Sequence, residues 1–308
     1  MIDVSAKGNT LRYARASGVL RAAHVTLQRV REGSVPKGDV IATARAAGIA
    51  AAKRTSDWIV FCHPIPLDWI EVQCEVLDTE LRVTAEAKSI WRTGVEMEAL
   101  TAATAALLNA YDMLKPLDQD LEISDIRVDE KRGGKSQFAV SLATPLKTAV
   151  LVISDAKLAG RREDRSGQVI KDFLANQPVS LEVSEVLPAD TEKIRQRLRD
   201  LVTRENIELV LTSGGTGLGA GDVTPAATAS VLDREAPAVV QMLHRHGLER
   251  TPRAMVSREV AGVMGRSLIV NLPGSSRGAA EALQALFPGI LHLCVQLRQA
   301  EDRDGSDD

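Results

Sequence analysis

From residue 148 the chain carries an uninterrupted apolar run, Thr148-Ala149-Val150-Leu151-Val152-Ile153-Ser154, with similar runs at 208–212 and 267–271. Strands buried on both faces have this pattern, which predicts a parallel sheet. A further strand is expected at 180–186, and helices at 167–176, 191–204 and 225–234. The β-α-β alternation implies right-handed crossovers and an α/β, doubly wound, three-layer domain over residues 147–300. Before residue 145 the rhythm differs. An alanine-rich beginning leads to a helix at 40–54 with Asp39 as N-cap. Cys62-His63-Pro64-Ile65-Pro66 then interrupts the chain, because proline disfavours helix at its own position and at the one before. Strands at 69–76 and 81–90 flank the turn Asp78-Thr79-Glu80, and a helix at 95–114 stops before Pro116. Two more strands are expected at 121–128 and 137–142. The expectation for residues 1–144 is α+β, helices on an antiparallel sheet. Residues 301–308 are acidic and predict a disordered tail.

Composition bounds the class without naming a reaction. At 308 residues and 33.1 kDa the chain is long enough for two cores. Aromatic residues make up 3%, which argues against a base-stacking platform for nucleic acid. The net charge of −3 marks no general polyanion binder. The polar N-terminus lacks the apolar core of a signal peptide, and no apolar run approaches a membrane span. Cys62, Cys74 and Cys294 lie far apart without metal-ligand spacing. Reduced thiols in a cytoplasmic protein are therefore expected, with no membrane and no nucleic acid as partner.

In the first half Asp112 and Lys115 share a helix face at i,i+3. They read either as an acid/base pair acting on a common ligand or as a plain ion pair at a helix C-terminus. His63, held by prolines, is structural or functional on equal grounds. Glu96 and Glu98 suit a helix N-terminus. Lys37, Lys53, Lys131 and Lys135 would form a polyphosphate site if they converge, and are ordinary surface groups if they do not. The ordered blocks Asp3-Val4-Ser5-Ala6-Lys7, Lys37-Gly38-Asp39-Val40, Cys62-His63-Pro64, Thr93-Gly94-Val95-Glu96-Met97-Glu98-Ala99, Tyr111-Asp112-Met113-Leu114-Lys115 and Gly133-Gly134-Lys135-Ser136 closely resemble the MoaC family of cyclic pyranopterin monophosphate synthases, over residues 1–143. The resemblance implies rearrangement of 3′,8-cyclo-7,8-dihydroguanosine triphosphate with loss of pyrophosphate. Asp112 and Lys115 then match the catalytic pair, with Asp112 moving protons and Lys115 stabilising negative charge. Phe61, Cys62, His63, Glu96, Met97 and Glu98 match substrate contacts, and Lys37, Lys53 and Lys131 triphosphate partners. A ferredoxin-like domain is expected, in hexamers built as trimers of dimers, with no tightly bound cofactor.

In the second half a strand runs into Ser213-Gly214-Gly215-Thr216-Gly217, a turn whose amides can approach an anion without Cβ obstruction. It is not a Walker loop, because the Gly-Lys-Ser/Thr ending is absent, and no Gly-x-Gly-x-x-Gly follows a strand, which speaks against a generic nucleotide-binding regulator. In Gly221-Asp222-Val223-Thr224-Pro225, Thr224 reads as an N-cap and Pro225 as the first helical residue. Asp222 is thereby free for a ligand or Mg²⁺. These blocks, with Ser154-Asp155, Glu163-Asp164-Arg165-Ser166-Gly167 and Asn271-Leu272-Pro273-Gly274-Ser275, resemble the MoaB/MogA family over residues 147–300. The resemblance implies molybdopterin binding, adenylylation with Mg·ATP, and a trimer-like assembly. Asp155, Ser213 to Gly217, Asn271, Pro273, Gly274 and Ser275 would line the cleft, with Asp222 on Mg²⁺. Ala189 stands where the family has a second acid and Ser276 where it has proline. The alternative is a non-catalytic pterin-binding or oligomerisation domain.

Overall fold

A computed structural model describes the backbone of residues 1–304, and the side chains there except those of 135, 136 and 300–304. Contacts divide the chain into two compact units, residues 1–137 and 138–308.

The first unit runs β1 (Thr10–Arg21), α1 (His24–Arg31), α2 (Val40–Ala52), α3 (Thr55–Trp58), β2 (Trp69–Val76), β3 (Glu80–Trp91), α4 (Glu96–Leu114), β4 (Glu122–Arg132). Its sheet has the order β2-β3-β1-β4 and every neighbouring pair is antiparallel. In β1 and β3 alternate positions face inward, pairing Ala14 with Ala87, Ala16 with Ala85, and Leu20 with Leu81, all fully buried. Small inward residues let α4 lie close, and α4 meets them with its own alanines, among them Ala99, Ala102, Ala103 and Ala106. A Cβ at Gly48 of α2 would stand 2.8 Å from the Ala102 carbonyl, so α2 packs on α4 at glycine distance. The opposite sheet face is polar, with Arg15 paired to Glu86 at 2.8 Å. Asp39 caps α2 as expected, accepting from Ala42 N–H at 2.9 Å.

Two elements were not foreseen here and one expectation fails. The central strand β1 and helix α1 fall in the stretch read only as alanine-rich. The strand expected at 137–142 is absent: a 3₁₀ turn spans Lys135–Phe138, and 139–145 has no regular structure.

The second unit runs β5 (Leu146–Ile153), α5 (Asp155–Leu158), α6 (Arg165–Leu174), β6 (Val179–Leu187), α7 (Thr191–Thr203), β7 (Leu209–Ser213), α8 (Thr224–Ala229), β8 (Arg234–Glu235), α9 (Pro237–Leu248), β9 (Ala261–Met264), β10 (Ser267–Leu272), α10 (Ser276–Leu286), α11 (Gly289–Asp304). The sheet order is β6-β5-β7-β10-β9-β8. The first four strands are parallel; the continuous apolar runs of β5, β7 and β10 match burial on both faces, with every residue of β7 and β10 buried, whereas the outer strand β6 alternates and stays part-exposed. Separate cores cover the two faces: α6, α9, α10 and α11 supply one, α7 and α8 the other. The sheet is mixed, because β9 and β8 add antiparallel at one edge. Helix α8 ends at Ala229, before the expected residue 234, and β8 begins at Arg234. Of the tail expected at 301–308, residues 301–304 continue α11, and 305–308 lie outside the described residues. No single helix among the described residues is long and apolar enough to cross a membrane.

Candidate functional site

Helix α4 divides the first unit's predicted residues between its two ends. At the C-terminal end Asp112 holds two lysines: Lys115 Nζ lies 2.8 Å from Oδ1 and Lys37 Nζ 2.8 Å from Oδ2, and Lys37 also donates to the Asp112 carbonyl at 2.7 Å. Lys37 arrives from the turn before α2, so a residue 75 positions away joins the i,i+3 pair in one polar cluster. Hydrogen bonds from Lys115, and then from Lys37, bring the Asp112 carboxyl down to about 2. Asp112 in turn holds the Lys115 ammonium above its usual range. All three are substantially exposed, so incoming anions can reach both ammonium groups.

At the N-terminal end Glu98 is buried, accepts from Cys62 Sγ at 3.7 Å, and has an Oε2 without a hydrogen bond among the described residues. Burial raises the Glu98 carboxyl above its usual range. Burial, then the neighbouring Glu98, pushes the Cys62 thiol up to about 11. Cys62 is therefore a neutral donor, unsuited to act as a thiolate. His63 Nε2 donates to the Ile2 carbonyl at 2.9 Å, and both residues line a cavity of about 580 Å³ with Phe61 and Thr93. A neighbouring cavity of about 480 Å³ holds Glu96 and Lys131, whose charges lie 3.6 Å apart. Met97 is part-exposed on the first turn of α4, and Lys53 caps the C-terminal end of α2. The side chain of Lys135 lies outside the described residues. Glu98 and Asp112 are about 20 Å apart at the rise of an α-helix. One chain therefore does not bring all of these residues together.

In the second unit the ends of β5, β7 and β10 converge. Gly214 has φ +103°, and a Cβ there would meet the Ile153 carbonyl at 2.5 Å. A Cβ at Gly274 would stand 2.9 Å from Gly214 Cα, so the two glycine turns are packed backbone to backbone. Ser213 Oγ donates to the Pro273 carbonyl at 3.0 Å and ties them. Beside them Thr216, Gly217, Pro273, Gly274 and Ser275 line a cavity of about 250 Å³. Ser275 is also the N-cap of α10, and Ser276 is its first residue.

Other expectations change. Thr224 is the first residue of α8, not its cap; its hydroxyl donates to the Gly214 carbonyl at 2.8 Å, and Val223 is the N-cap. Asp222 is not wholly free: Oδ2 accepts from Gly219 N–H at 2.9 Å and closes a turn. Asn271 is fully buried and spans Thr212 and Thr228 at 2.9 Å each, so it holds β10, β7 and α8 together. Asp155 opens α5, and its Oδ1 accepts from Ala189 N–H at 3.1 Å. Neither Asp155 nor Asp222 lines the cavity.

Sequence reading missed the segment Ser257-Arg258-Glu259. Arg258 donates to the Gly217 carbonyl at 2.7 Å and the Asp222 carbonyl at 2.8 Å, and its N–H to the Thr216 carbonyl at 2.8 Å. It straps the glycine loop to the stretch before β9. The separation of 41 residues between Gly217 and Arg258 hides this pairing from any local pattern.

Comparison with known proteins agrees with this two-part layout. Residues 1–134 match the MoaC family, and residues 149–292 match the family described as a probable molybdopterin binding domain. The molybdenum cofactor biosynthesis bifunctional protein of Chlorobaculum tepidum is 41% identical over 298 residues, covering 97% of this chain and 94% of that one. Its namesake in Synechococcus elongatus is 37% identical, covering 98% of each chain. Cyclic pyranopterin monophosphate synthase 3 of Mycobacterium tuberculosis is 51% identical over 137 residues, or 44% of this chain and 77% of that one. The chain belongs to the bifunctional molybdenum cofactor biosynthesis proteins, with a MoaC-family unit followed by one of the probable molybdopterin binding family.

Proposed function

We propose that the first unit is a cyclic pyranopterin monophosphate synthase acting on 3′,8-cyclo-7,8-dihydroguanosine triphosphate, and that the second binds molybdopterin and adenylylates it. The Lys37–Asp112–Lys115 cluster carries the first reading. Two ammonium groups on one carboxylate suit a substrate that sheds pyrophosphate and closes a cyclic phosphate. Substrate phosphates compete for both lysines. Asp112, released from them, returns toward the ordinary carboxylate range, where it can accept a proton. The division of site residues between the ends of α4 supports assembly from several copies, a trimer of dimers for this half and a trimer for the other. The order β2-β3-β1-β4 with β-α-β-β-α-β connectivity supports a ferredoxin-like fold. Three free thiols support a cytoplasmic setting.

For the second unit the amides of Gly215, Thr216 and Gly217 donate to no acceptor among the described residues, and a phosphate can take them. In adenylylation an oxygen of the pterin phosphate attacks the α-phosphorus of ATP, and the α–β bridging bond breaks with loss of pyrophosphate. Asp222 Oδ1 takes no hydrogen bond among the described residues, which fits a Mg²⁺ held by one carboxylate plus substrate phosphates. Bound there, Mg²⁺ would neutralise phosphate charge. The engaged Asp222 Oδ2 and the backbone-bound Asp155 beside Ala189 favour a second reading, pterin binding without adenylyl transfer. Purified protein given the cyclised substrate should release pyrophosphate and form the pyranopterin. Inactive wild type overturns the first assignment. Given molybdopterin with Mg·ATP, binding without an adenylylated product selects the second reading for the other half.

A further inference from the structure

Four residues that line the 250 Å³ cavity form a hydrogen-bonded chain. The hydroxyl oxygens of Thr216 and Ser257 are 3.4 Å apart, Ser257 Oγ bonds Glu259 Oε1, and Glu259 Oε2 lies 2.9 Å from His244 Nε2. The Glu259 side chain is 3% exposed, against 39% for His244. A buried carboxylate is costly unless its oxygens are met by donors, and both are. Because a carboxylate only accepts, every direction in the chain follows from Glu259. His244 donates from Nε2 and Ser257 donates from its hydroxyl. The Ser257 oxygen then accepts the Thr216 hydroxyl hydrogen. Thr216, which sits in the glycine loop, is left with lone pairs to offer. His244 Nδ1 bonds nothing else among the described residues.

We propose that Glu259 is a positioning residue of this cavity, fixing the tautomer of His244 and turning Thr216 into a hydrogen-bond acceptor for the ring N–H groups of a bound pterin. The proposal rests on the reading that this unit binds molybdopterin. It adds a division of labour to that reading. Loop amides are donors and suit the phosphate, whereas Thr216 is an acceptor and suits the N–H edge of the ring. A Gln amide has one acceptor end and one donor end, so Glu259→Gln keeps the shape and reverses one of the two bonds.

The test uses the full chain with ¹⁵N-histidine labelling and calorimetry with molybdopterin. In wild type the His244 shifts should show the Nε2–H form, and Glu259→Ala should move them toward the other tautomer. Glu259→Gln should weaken molybdopterin binding about tenfold while the affinity for inorganic phosphate changes less than twofold, a contrast that general loosening of the fold would not produce. Ser257→Ala, which leaves the Glu259–His244 pair intact and cuts Thr216 off, should weaken molybdopterin about threefold and serves if the Glu259 variants fail to fold. Unchanged His244 shifts in Glu259→Ala overturn the positioning role. Molybdopterin affinities within twofold of wild type in both Glu259→Gln and Ser257→Ala overturn the recognition role while the functional reading stands. A wild type that binds no molybdopterin overturns both.

Discussion

At the scale of single residues, the i,i+3 spacing of Asp112 and Lys115 was readable because helical geometry alone makes such pairs neighbours. Lys37 was a candidate, but its meeting with Asp112 depends on the turn before α2 and carries no local signal. The structure also decides what Asp112 is in the free protein. With its carboxyl drawn down to about 2 by Lys115 and Lys37, it stays ionised across the working range. A folded value below the unfolded one means the charged form is favoured above the folded value and is lost only as pH falls through about 2. The acidic limb of kcat/KM, which reports the free enzyme, should therefore contain no ionisation from Asp112 between about pH 4 and 7. Asp112→Asn keeps the shape and removes the charge that holds both lysines. It should lower synthase turnover by about 100-fold or more, the usual scale for a lost acid–base group. A pH–rate profile and a single-turnover comparison check both points. An acidic limb that disappears in Asp112→Asn, with turnover otherwise retained, would contradict this account.

At the scale of elements, legibility followed side-chain size. Strands β5, β7 and β10 were found from sequence because large branched residues fill both faces. Strand β1 was not, although it is a central strand of its sheet. Its inward positions include Ala14, Ala16 and Gly18, residues of low strand propensity, alternating with Tyr13, Arg15 and Ser17. They are small because α4 must come close: a Cβ at Gly18 would stand 2.6 Å from Leu107 Cδ1. The same economy governs α2 against α4. At Gly48 two effects compete. Alanine gains up to about 1 kcal/mol of helix propensity. Its methyl group would also approach the Ala102 carbonyl to 2.8 Å and Val72 Cγ2 to 3.1 Å. The first contact is backbone and cannot rotate away, so overpacking of about 1–3 kcal/mol wins. Gly48→Ala should lower the denaturant midpoint at unchanged m, a net destabilisation of up to about 2 kcal/mol. A stabilised variant would mean that α2 shifts freely on α4. Strands β8 and β9 escaped for another reason: at two and four residues they are too short for any period to show.

At the scale of the whole molecule, the apolar run beginning at residue 148 drew the sequence boundary to about 145, whereas contacts divide the chain between Gln137 and Phe138. The intervening stretch has no regular structure, yet it is packed. Val140 and Leu142 lie against the core of the second unit, and Leu146 is fully buried in it. Arg298 of α11 donates to the Thr144 carbonyl at 3.1 Å while its other nitrogens fork onto Glu208 at 2.7 and 2.9 Å. Glu208 also accepts from Lys147 N–H at 3.0 Å, so one buried carboxylate fastens the start of β5 to α11. A fragment starting at 147 therefore loses three apolar side chains and one arm of this clamp, and a fragment starting at 138 loses neither. Burial of one large and two partly covered apolar side chains contributes about 3–5 kcal/mol. For a domain of this size that corresponds to roughly 10 °C in Tm. The fragment 147–308 should melt roughly 10 °C below the fragment 138–308, as read by calorimetry. Equal melting temperatures for the two fragments would place residues 138–146 outside the second core and return the boundary to where the apolar run alone puts it.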